Sequence, residues 1–470
     1  MALCNYHPVV SVDTLEHSTE SGTVPRAEGN GLPPGPRIPR LLQTLGFIFA
    51  GPRFLEACRR RYGNAVTLGT LFDERFVMLF DPALVKELFQ GPHDQLHAGE
   101  ANALLGPILG NRSVLLLDGA EHLRHRRMML PPFHGRRMQA YADTMRESAD
   151  LEIDSWPLGE PFSLMPSMQS LTLRVIMRAV FGFEPGAAEE ELRTRIRDMI
   201  DPLARPRGVP LMLVLGRLGA GRGADRGAAR RFDAARRAVD EILYAEIERR
   251  RQQPDVAERD DVFSALLLAE DEEGARLSDR EVRDELVTLL LAGHETTATG
   301  LAWTFDLVLH DQRVLGRLRA DASDEYRDAV VKEALRIRPV IPGVGRVVRN
   351  EPFRLNGYVI PPGVEINPSI RMIHHRADLY PEPSSFRPER FLGPDVPDTY
   401  TWLPFGGGIR RCLGASFAQM EMRIVLGRVL QRAALRAADP ERERVQFRAI
   451  TLSPRNGTRV VQDCPPASDQ

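Results

Sequence analysis

Apolar residues recur at helical spacing through most of the chain. Apolar positions at i, i+3, i+4 and i+7 share one face of an α-helix, so this pattern predicts helices buried on one side. It predicts long helices over 53–62, 135–156, 163–181, 187–200, 226–251, 279–310, 323–338 and 413–436. No repeat of fixed period accompanies them. The pattern therefore favours a mainly helical protein.

Two stretches show the patterning of strands instead. "AVTLGTL" and "RFVMLF" flank residues 72–74 as a strand, a turn and a strand. "FRLNGYVIPPGVEINPSI" (353–370) predicts a second hairpin, interrupted by prolines and a glycine at 361–363. The expected fold class is mainly α with small β-sheets.

Non-periodic segments set the expected limits of the folded part. Residues 1–30 lack periodicity and predict a disordered lead, while "GLPPGPR" (31–37) forms a rigid, turn-rich start to a single large domain at 31–470. "VPLMLVLGRLGAGRGADRG" (209–227) predicts a surface loop with a hydrophobic anchor, or a mobile lid over an apolar cavity.

Composition narrows the function classes. The chain has 470 residues, 43% hydrophobic and 27% charged, with 62 basic and 64 acidic residues and a net charge of −2. Such a balance gives no bulk attraction to nucleic acid or an anionic membrane. "LLQTLGFIFAGP" (41–52) is too short for a membrane span and too far inside for a signal peptide. We expect a cytoplasmic monomer without a transmembrane segment.

The four cysteines, Cys4, Cys58, Cys412 and Cys464, are far apart and form no C-x-x-C pair. That spacing indicates neither a disulfide scaffold nor a structural zinc site. Cys412 alone has suggestive neighbours, in "FGGGIRRCLG" (405–414).

The surroundings of Cys412 favour an anionic sulfur. A helix is predicted directly after it, and the positive end of a helix dipole and nearby arginines both stabilise a thiolate. The three glycines let the backbone lie flat against something broad. The segment lacks the fingerprints of a phosphate-binding loop. A protease-type cysteine would need a histidine partner, which the sequence does not place. The third alternative is a thiolate bonded to a flat metal complex such as haem, with Arg410 reaching a carboxylate at its rim.

Phe405, Gly408, Arg410, Cys412 and Gly414 match F-x-x-G-x-R-x-C-x-G, and the segment resembles the haem-binding signature of the cytochrome P-450 family. The resemblance spans roughly residues 31–465. It implies that Cys412 is the axial ligand of haem b, and that the haem lies between a long central helix and the helix after Cys412.

The predicted long helix begins with a capping box, Ser278 with Glu281. It is apolar all round over 286–292, and "GHETT" at 293–297 then predicts a local break with a polar purpose. "HETTA" begins like the zinc motif H-E-x-x-H, but Ala298 stands where the second histidine would be.

The same residues resemble the oxygen-activation motif A/G-G-x-D/E-T of the family. The resemblance implies that Glu295 and Thr296 deliver protons to dioxygen, and that Gly293 opens the helix for oxygen and water. Position 295 carries glutamate where many bacterial members have aspartate, and both are acids that could carry a proton.

Two further resemblances concern charged residues. "KEALRIRP" matches E-x-x-R, which with "FRPERF" implies a buried network of Glu333, Arg336 and Arg390 that supports haem incorporation. "GAEHLRHRRMMLPPF" resembles the helix whose H-x-x-x-R binds haem propionates. The implied propionate ligands are His122, Arg126, Arg346 and Arg410.

We expect electrons to come from a separate protein, because no flavin or nicotinamide domain is recognised in the sequence. The resemblance implies a ferredoxin- or flavodoxin-type donor that is reduced by NAD(P)H. Arg124, His125, Arg127 and Arg411 predict a docking face for an acidic donor of this kind.

The predicted cavity walls are apolar and imply a hydrophobic small molecule, such as a fatty acid, terpenoid or steroid. The residues predicted to line it are Leu104, Leu105, Leu291, Ala292, Gly293, Val340, Val344 and Thr451. The predicted activity is insertion of one oxygen atom into a C–H or C=C bond. The alternative is a haem-thiolate ligand-binding or sensor protein, which the presence of both Glu295 and Thr296 disfavours.

Overall fold

A computed structural model of the chain describes residues 31–463 apart from 134–135, 185, 205–225, 322 and 449. The predicted disordered lead at 1–30 and most of the loop at 209–227 lie outside these ranges. The α-helices are α1 Arg40–Leu45, α2 Gly51–Tyr62, α3 Pro82–Gln90, α4 Ala98–Ala101, α5 Gly106–Leu109, α6 Gly119–Met129, α7 Arg136–Ile153, α8 Leu164–Val175, α9 Ala187–Ala204, α10 Arg226–Arg251, α11 Val262–Leu268, α12 Asp279–Leu309, α13 Gln312–Ala320, α14 Asp324–Ile337, α15 Ile370–His374 and α16 Ala415–Arg432.

The strands form small sheets, as predicted. They are β1 Ala65–Leu68, β2 Phe76–Leu79, β3 Leu96–His97, β4 Pro161–Ser163, β5 Arg346–Val348, β6 Phe353–Leu355, β7 Tyr358–Ile360, β8 Glu365–Pro368, β9 Ala434–Ala437, β10 Val445–Arg448, β11 Thr451–Pro454 and β12 Arg459–Asp463. The largest sheet has the order β1-β2-β8-β5-β3, and the next has the order β4-β12-β9. β6 with β7 and β10 with β11 form two-stranded sheets.

The helical pattern predicted each long helix to within a few residues. The helix predicted at 413–436 ends at Arg432 because the chain enters β9, and the one predicted at 163–181 closes with a π-helical turn over Ile176–Val180. The shorter helices α3, α11 and α13 were missed. Each follows an aspartate whose side chain accepts a backbone N–H of the first turn, so N-capping was the available signal.

The prediction of a second hairpin over 353–370 was wrong in its second half. β6 and β7 pair around Asn356 and Gly357, both in the left-handed region at φ 45° and 84°. β8 then leaves the hairpin and pairs parallel with β2. The two prolines and glycine at 361–363 end the first ladder, because proline offers no N–H to continue it.

The long helix α12 runs through the main hydrophobic core and packs against α8, α14, α16 and β11. Its capping box forms as predicted: Glu281 N donates to Ser278 Oγ at 3.3 Å, and Ser278 N donates to Glu281 Oε2 at 2.8 Å. No helix in the described part of the chain is long and apolar enough to cross a bilayer.

The predicted break in α12 at Gly293 is absent, because the helix continues unbroken from Asp279 to Leu309. A Cβ at Gly293 would lie 2.9 Å from Ile176 Cδ1 in the π-helical turn. Glycine at this position therefore admits a close approach between two helices, rather than opening one of them.

Candidate active site

Cys412 lies in a tight loop between the core and α16. Its N–H donates to the Phe405 carbonyl at 3.0 Å, and Gly408–Arg410 form a 3₁₀ turn. Gly406 and Gly408 adopt φ 65° and 63°, which favours glycine. A Cβ at Gly408 would lie 2.3 Å from the Phe89 carbonyl oxygen. The glycines thus seat this loop directly on α3.

The Cys412 thiol is surrounded by protein but is not sealed off from molecules the size of water. It retains accessible surface, yet burial by the surrounding protein is the largest effect on its pKa and raises it. The Gly414 N–H, Arg126 and Arg411 lower that pKa only in part. The predicted preference for thiolate is therefore not met by the protein's own groups. A metal cation bonded to the sulfur would supply the missing stabilisation.

His122, Arg126, Arg346 and Arg410 come together from three separate segments of the chain. Arg410 Nη2 donates to Asp118 Oδ1 at 2.5 Å and to the Leu117 carbonyl at 2.6 Å. Buried His122 has no hydrogen-bond partner for Nδ1 among the described residues.

The pKa values show how much positive charge this cluster buries. Burial first, then Arg410, Arg126 and Arg346, lowers the pKa of His122 to about 3. Burial, followed by repulsion from Arg410, lowers the pKa of Arg346 to about 10. Arg410 has a pKa of about 10, again mainly through burial, although Asp118 raises it. The cluster is thus short of negative charge.

These residues fit haem. A buried group of arginines short of anions, with an orphaned histidine nitrogen, suits a ligand that carries carboxylates. Cys412 lies near the cluster, since its charge raises the pKa of Arg126. A cysteine that can bond to iron, beside cations that can bind carboxylates, is one of the donor sets that hold iron protoporphyrin in proteins.

One face of α12 is accessible in the middle of an otherwise buried helix. Ala292 is exposed and Leu289 and Thr296 are partly exposed, while most of their neighbours on the helix are buried. These positions are three to four residues apart and therefore share a face. Leu289 was missed, although its helical spacing from Ala292 could have indicated it.

Glu295 and Thr296 are held in different ways. Glu295 Oε2 accepts from Gln169 Nε2 at 2.6 Å, and its Oε1 lies 3.2 Å from Arg448 Nε. Thr296 Oγ1 donates to the Ala292 carbonyl at 2.5 Å within α12. The carboxylate is thus fixed by α8 and β10, and neither Gln169 nor Arg448 was predicted.

Glu333, Arg336 and Arg390 form one network, with the first two fully buried. Arg336 binds Glu333 through two parallel bonds, Nε to Oε2 at 2.7 Å and Nη2 to Oε1 at 2.8 Å. Arg390 Nε donates to Glu333 Oε1 at 3.3 Å. A bidentate pair of this kind fixes both side chains in orientation as well as distance.

His374 joins this network to the cysteine loop and was missed by the sequence. Arg336 Nη1 donates to its carbonyl at 2.7 Å, while the Leu403 N–H donates to His374 Nε2 at 2.8 Å. Burial holds the pKa of His374 well below its usual value, so the ring is neutral and Nε2 can accept. Leu403 lies two residues before Phe405, whose carbonyl accepts from Cys412.

The residues predicted to line a substrate cavity divide into groups. Leu104, Leu105 and Leu291 are partly buried against the main core, and Val344 packs on the separate core of the largest sheet. Ala292 and Gly293 lie on α12 as described above. Val340 and Thr451 are buried, and the Thr451 hydroxyl donates to the Arg448 carbonyl at 2.8 Å.

Two of the four residues predicted to form the docking face are buried or bound to acidic residues of this chain. His125 is buried and lies 2.7 Å from Glu285, and Arg124 is bound to Asp271 and Glu281. Arg127 and Arg411 are exposed. His125 points inward because α6 packs against the acidic start of α12. The charge pattern of α6 alone does not show that this packing occurs.

The fold and the donor set define the class as a haem-thiolate protein with a long central helix. The cytochrome P450 family model matches residues 33–458. Cytochrome P450 135B1 of Mycobacterium tuberculosis is 41% identical over 441 residues, which cover 92% of this chain and 91% of that protein. Cytochrome P450 137 of the same organism is 39% identical over 443 residues, with the same shares covered.

A solved structure is similar in fold. Cyanobacterial CYP120A1 with retinoic acid bound superposes with a TM-score of 0.77 at 24% identity, covering 92% of this chain and 99% of that one. This chain belongs to the cytochrome P450 family, whose members are haem-dependent monooxygenases.

Proposed function

We propose that this protein is a monooxygenase that uses Cys412 as the axial haem ligand and acts on a hydrophobic small molecule. The supporting observation is the cationic cluster of His122, Arg126, Arg346 and Arg410 beside a cysteine that is surrounded by protein yet keeps accessible surface. Haem bound there would supply the redox chemistry that activates dioxygen.

The protein's own groups would then position the reactants and move protons. His122 and the three arginines would bind the propionates, while the accessible face of α12 would form one wall of the reaction space. The Thr296 hydroxyl and the Glu295 carboxylate, on consecutive residues of that helix, would carry protons into a largely dry site.

The proposed substrate is an apolar molecule because Leu289, Leu291, Ala292 and Gly293, at and beside the accessible face of α12, are apolar, and Thr296 adds a single hydroxyl. The similar cyanobacterial structure contains retinoic acid, which is also lipophilic. The proposed electron donor is a ferredoxin- or flavodoxin-type protein reduced by NAD(P)H. Cytoplasmic location and a monomeric state stay predictions from the sequence.

The function is tested with purified protein reconstituted with haem, a surrogate ferredoxin, its reductase and NADPH. We expect apolar compounds that shift the optical spin state to give products containing one added oxygen atom. Spin-state binding without product from any such compound would instead favour the ligand-binding or sensor alternative.

The sulfur ligand has its own test. Cys412→Ser should remove the thiolate-type position of the Soret band in the reduced, carbon-monoxide-treated protein, because a serine hydroxyl is a much weaker acid than a thiol and supplies no anionic sulfur to the iron. Cys58→Ser, at the buried cysteine of α2, is the matched control and should leave that band unchanged. An unaltered band in Cys412→Ser would contradict the ligation.

A further inference from the structure

Glu365 on β8 is largely enclosed by protein and, within the described residues, has no cationic partner. Its Oε1 accepts a hydrogen bond from Asn367 Nδ2 at 3.0 Å. Burial raises the pKa of Glu365 to about 7, while the Asn367 bond lowers this pKa and the charge of nearby Asp73 raises it. Enclosed acids are normally paired with a cation, so this carboxylate has an unmet preference for positive charge.

The sheet register places the Glu365 side chain between apolar neighbours. Glu365 pairs with Phe76 on β2 and with Val347 on β5, so these two side chains flank it on one face of the sheet. Arg346, a member of the cationic cluster near Cys412, pairs with Ile366 instead. Because side chains alternate along a strand, Arg346 points to the opposite face, and the sheet separates it from the carboxylate.

The Glu365 carboxylate lies between two segments that were predicted to line the substrate cavity. A Cβ added at Gly345 would overlap the carboxylate and would lie 3.1 Å from Ala101 Cβ. Gly345 directly follows Val344, and Ala101 ends α4 shortly before Leu104. Glu365, Gly345 and Ala101 are each partly exposed, so the carboxylate borders an open recess rather than a sealed core.

The chemistry of this recess suits a positively charged nitrogen. A cation bound beside Glu365 would restore the charged form of the carboxylate, and the charge of Asp73 would add to the attraction. The flanking ring of Phe76 offers a second contact, because ammonium groups bind to aromatic faces. An anionic head group would be repelled by both acids.

We propose that Glu365 binds a cationic nitrogen of the substrate, which is then an apolar molecule with an ammonium head group. The apolar remainder would extend past Val344 and Leu104 toward the accessible face of α12. Because the recess borders the predicted substrate cavity, this assignment rests on the monooxygenase function proposed above and specifies its substrate class. The enclosed carboxylate costs stability when it is charged and unpaired, and a bound cation would offset that cost.

Binding of three ligands of equal chain length to the haem-loaded, full-length protein tests the proposal. The ligands are decyltrimethylammonium, decanol and decanoate, each below its micelle concentration, and the quaternary nitrogen of the first cannot bond to iron. Equilibrium dialysis measures the dissociation constants. We expect the ammonium to bind more tightly than decanol by about tenfold or more, and decanoate to bind most weakly.

Glu365→Gln should weaken ammonium binding by about tenfold or more, because the amide keeps the shape of the acid without its charge. The same variant should leave decanol binding unchanged. Glu351→Gln, at an exposed glutamate near the same sheet, is the matched control and should bind all three ligands as the wild-type protein does. Urea unfolding of each variant checks the fold.

Failure of the ammonium to bind more tightly than decanol would overturn the proposal, and so would an unchanged ammonium affinity in Glu365→Gln. Either result would leave the monooxygenase function standing if decanol were oxidised. Ammonium binding that depends on Glu365 but yields no product from any ligand would support the site, while favouring the ligand-binding alternative for the protein.

Discussion

Two side chains from separate elements hold the Glu295 carboxylate. Gln169 contributes a hydrogen bond from α8 and Arg448 an ion pair from β10. A carboxylate that is to pass protons toward Thr296 must exchange these partners during turnover. Gln169 and Arg448 would therefore act as positioning residues for the proposed proton delivery.

Glu295→Gln keeps the shape of the side chain and an oxygen that can accept from Gln169, but an amide cannot carry a proton. We expect product formation to fall by roughly a hundredfold, within the range for loss of a general acid. Oxygen consumption should fall less, with the difference released as peroxide. Glu270→Gln, at an exposed ion pair, is the control. An unchanged ratio of product to oxygen consumed would contradict the assigned role.

Glu365 on β8 gives a prediction for stability and pH. Burial raises its pKa from 4.5 to about 7. Because the folded pKa exceeds the unfolded one, the protonated form favours folding, and stability is lost as pH rises between these values. Glu365→Gln mimics the protonated acid. It should raise the free energy of unfolding by roughly 3 kcal/mol at pH 8 and change it little at pH 4.

Urea unfolding at the two pH values measures this effect. Glu351→Gln, at an exposed glutamate near the same sheet, serves as the control for the loss of a surface carboxylate. An equal effect of Glu365→Gln at both values would mean that Glu365 does not titrate with folding.

At the scale of single residues, the sequence predicted those candidate site residues that lie together in a compact motif. Phe405 to Gly414 could be recognised because ten consecutive residues carry the pattern. Gln169, His374 and Arg448 could not, since each meets its partner only after segments far apart in the chain have packed together.

At the scale of elements, α14 and α15 support the cysteine loop through hydrogen bonds. Glu333 holds Arg336 on α14, and Arg336 donates to the carbonyl of His374, whose ring nitrogen accepts from the Leu403 N–H. This continuous path gives a physical basis for the structural role that the sequence suggested for E-x-x-R.

Glu333→Ala leaves the buried Arg336 guanidinium without its carboxylate. We expect a loss of about 3–5 kcal/mol of stability and protein without bound haem. Glu389→Ala breaks exposed pairs with Arg313 and Arg317 instead, and should cost less than about 1 kcal/mol. Haem content per chain and urea unfolding measure both. Normal haem content in Glu333→Ala would remove the proposed role.

Periodicity predicted where most helices lie but not which way every face turns. In α1 the apolar stripe points to solvent because Gln43 and Thr44 bond to the hairpin. In α6, His125 points inward to Glu285. An apolar stripe in the sequence defines one face of a helix, but whether other parts of the protein cover that face depends on the neighbouring elements.

At the scale of the whole molecule, Arg127 and Arg411 are the predicted docking residues that stay exposed. Arg411 lies near Cys412, the proposed haem ligand, because the charge of Arg411 lowers the pKa of Cys412. An acidic electron donor would be attracted to this side of the protein over several ångströms, and salt would screen that attraction.

Arg127→Glu with Arg411→Glu should slow electron transfer from an acidic ferredoxin by about tenfold or more at low ionic strength, and less at high ionic strength. Stopped-flow reduction measures the rate. Arg459→Glu is the control, because Arg459 lies on β12 and pairs with exposed Asp439. Rates that depend neither on ionic strength nor on these substitutions would place the docking surface elsewhere.

The parallel pairing of β2 with β8 also bears on how the protein is made. Phe76 on β2 pairs with Glu365 on β8. The edge of β2 in the β1–β2 hairpin therefore has no partner strand until most of the chain has left the ribosome. Pairings between residues so distant in sequence form late and slowly. During synthesis the nascent chain therefore exposes a strand edge as well as the apolar surface of α1, and a chaperone that shields both would raise the yield of native protein.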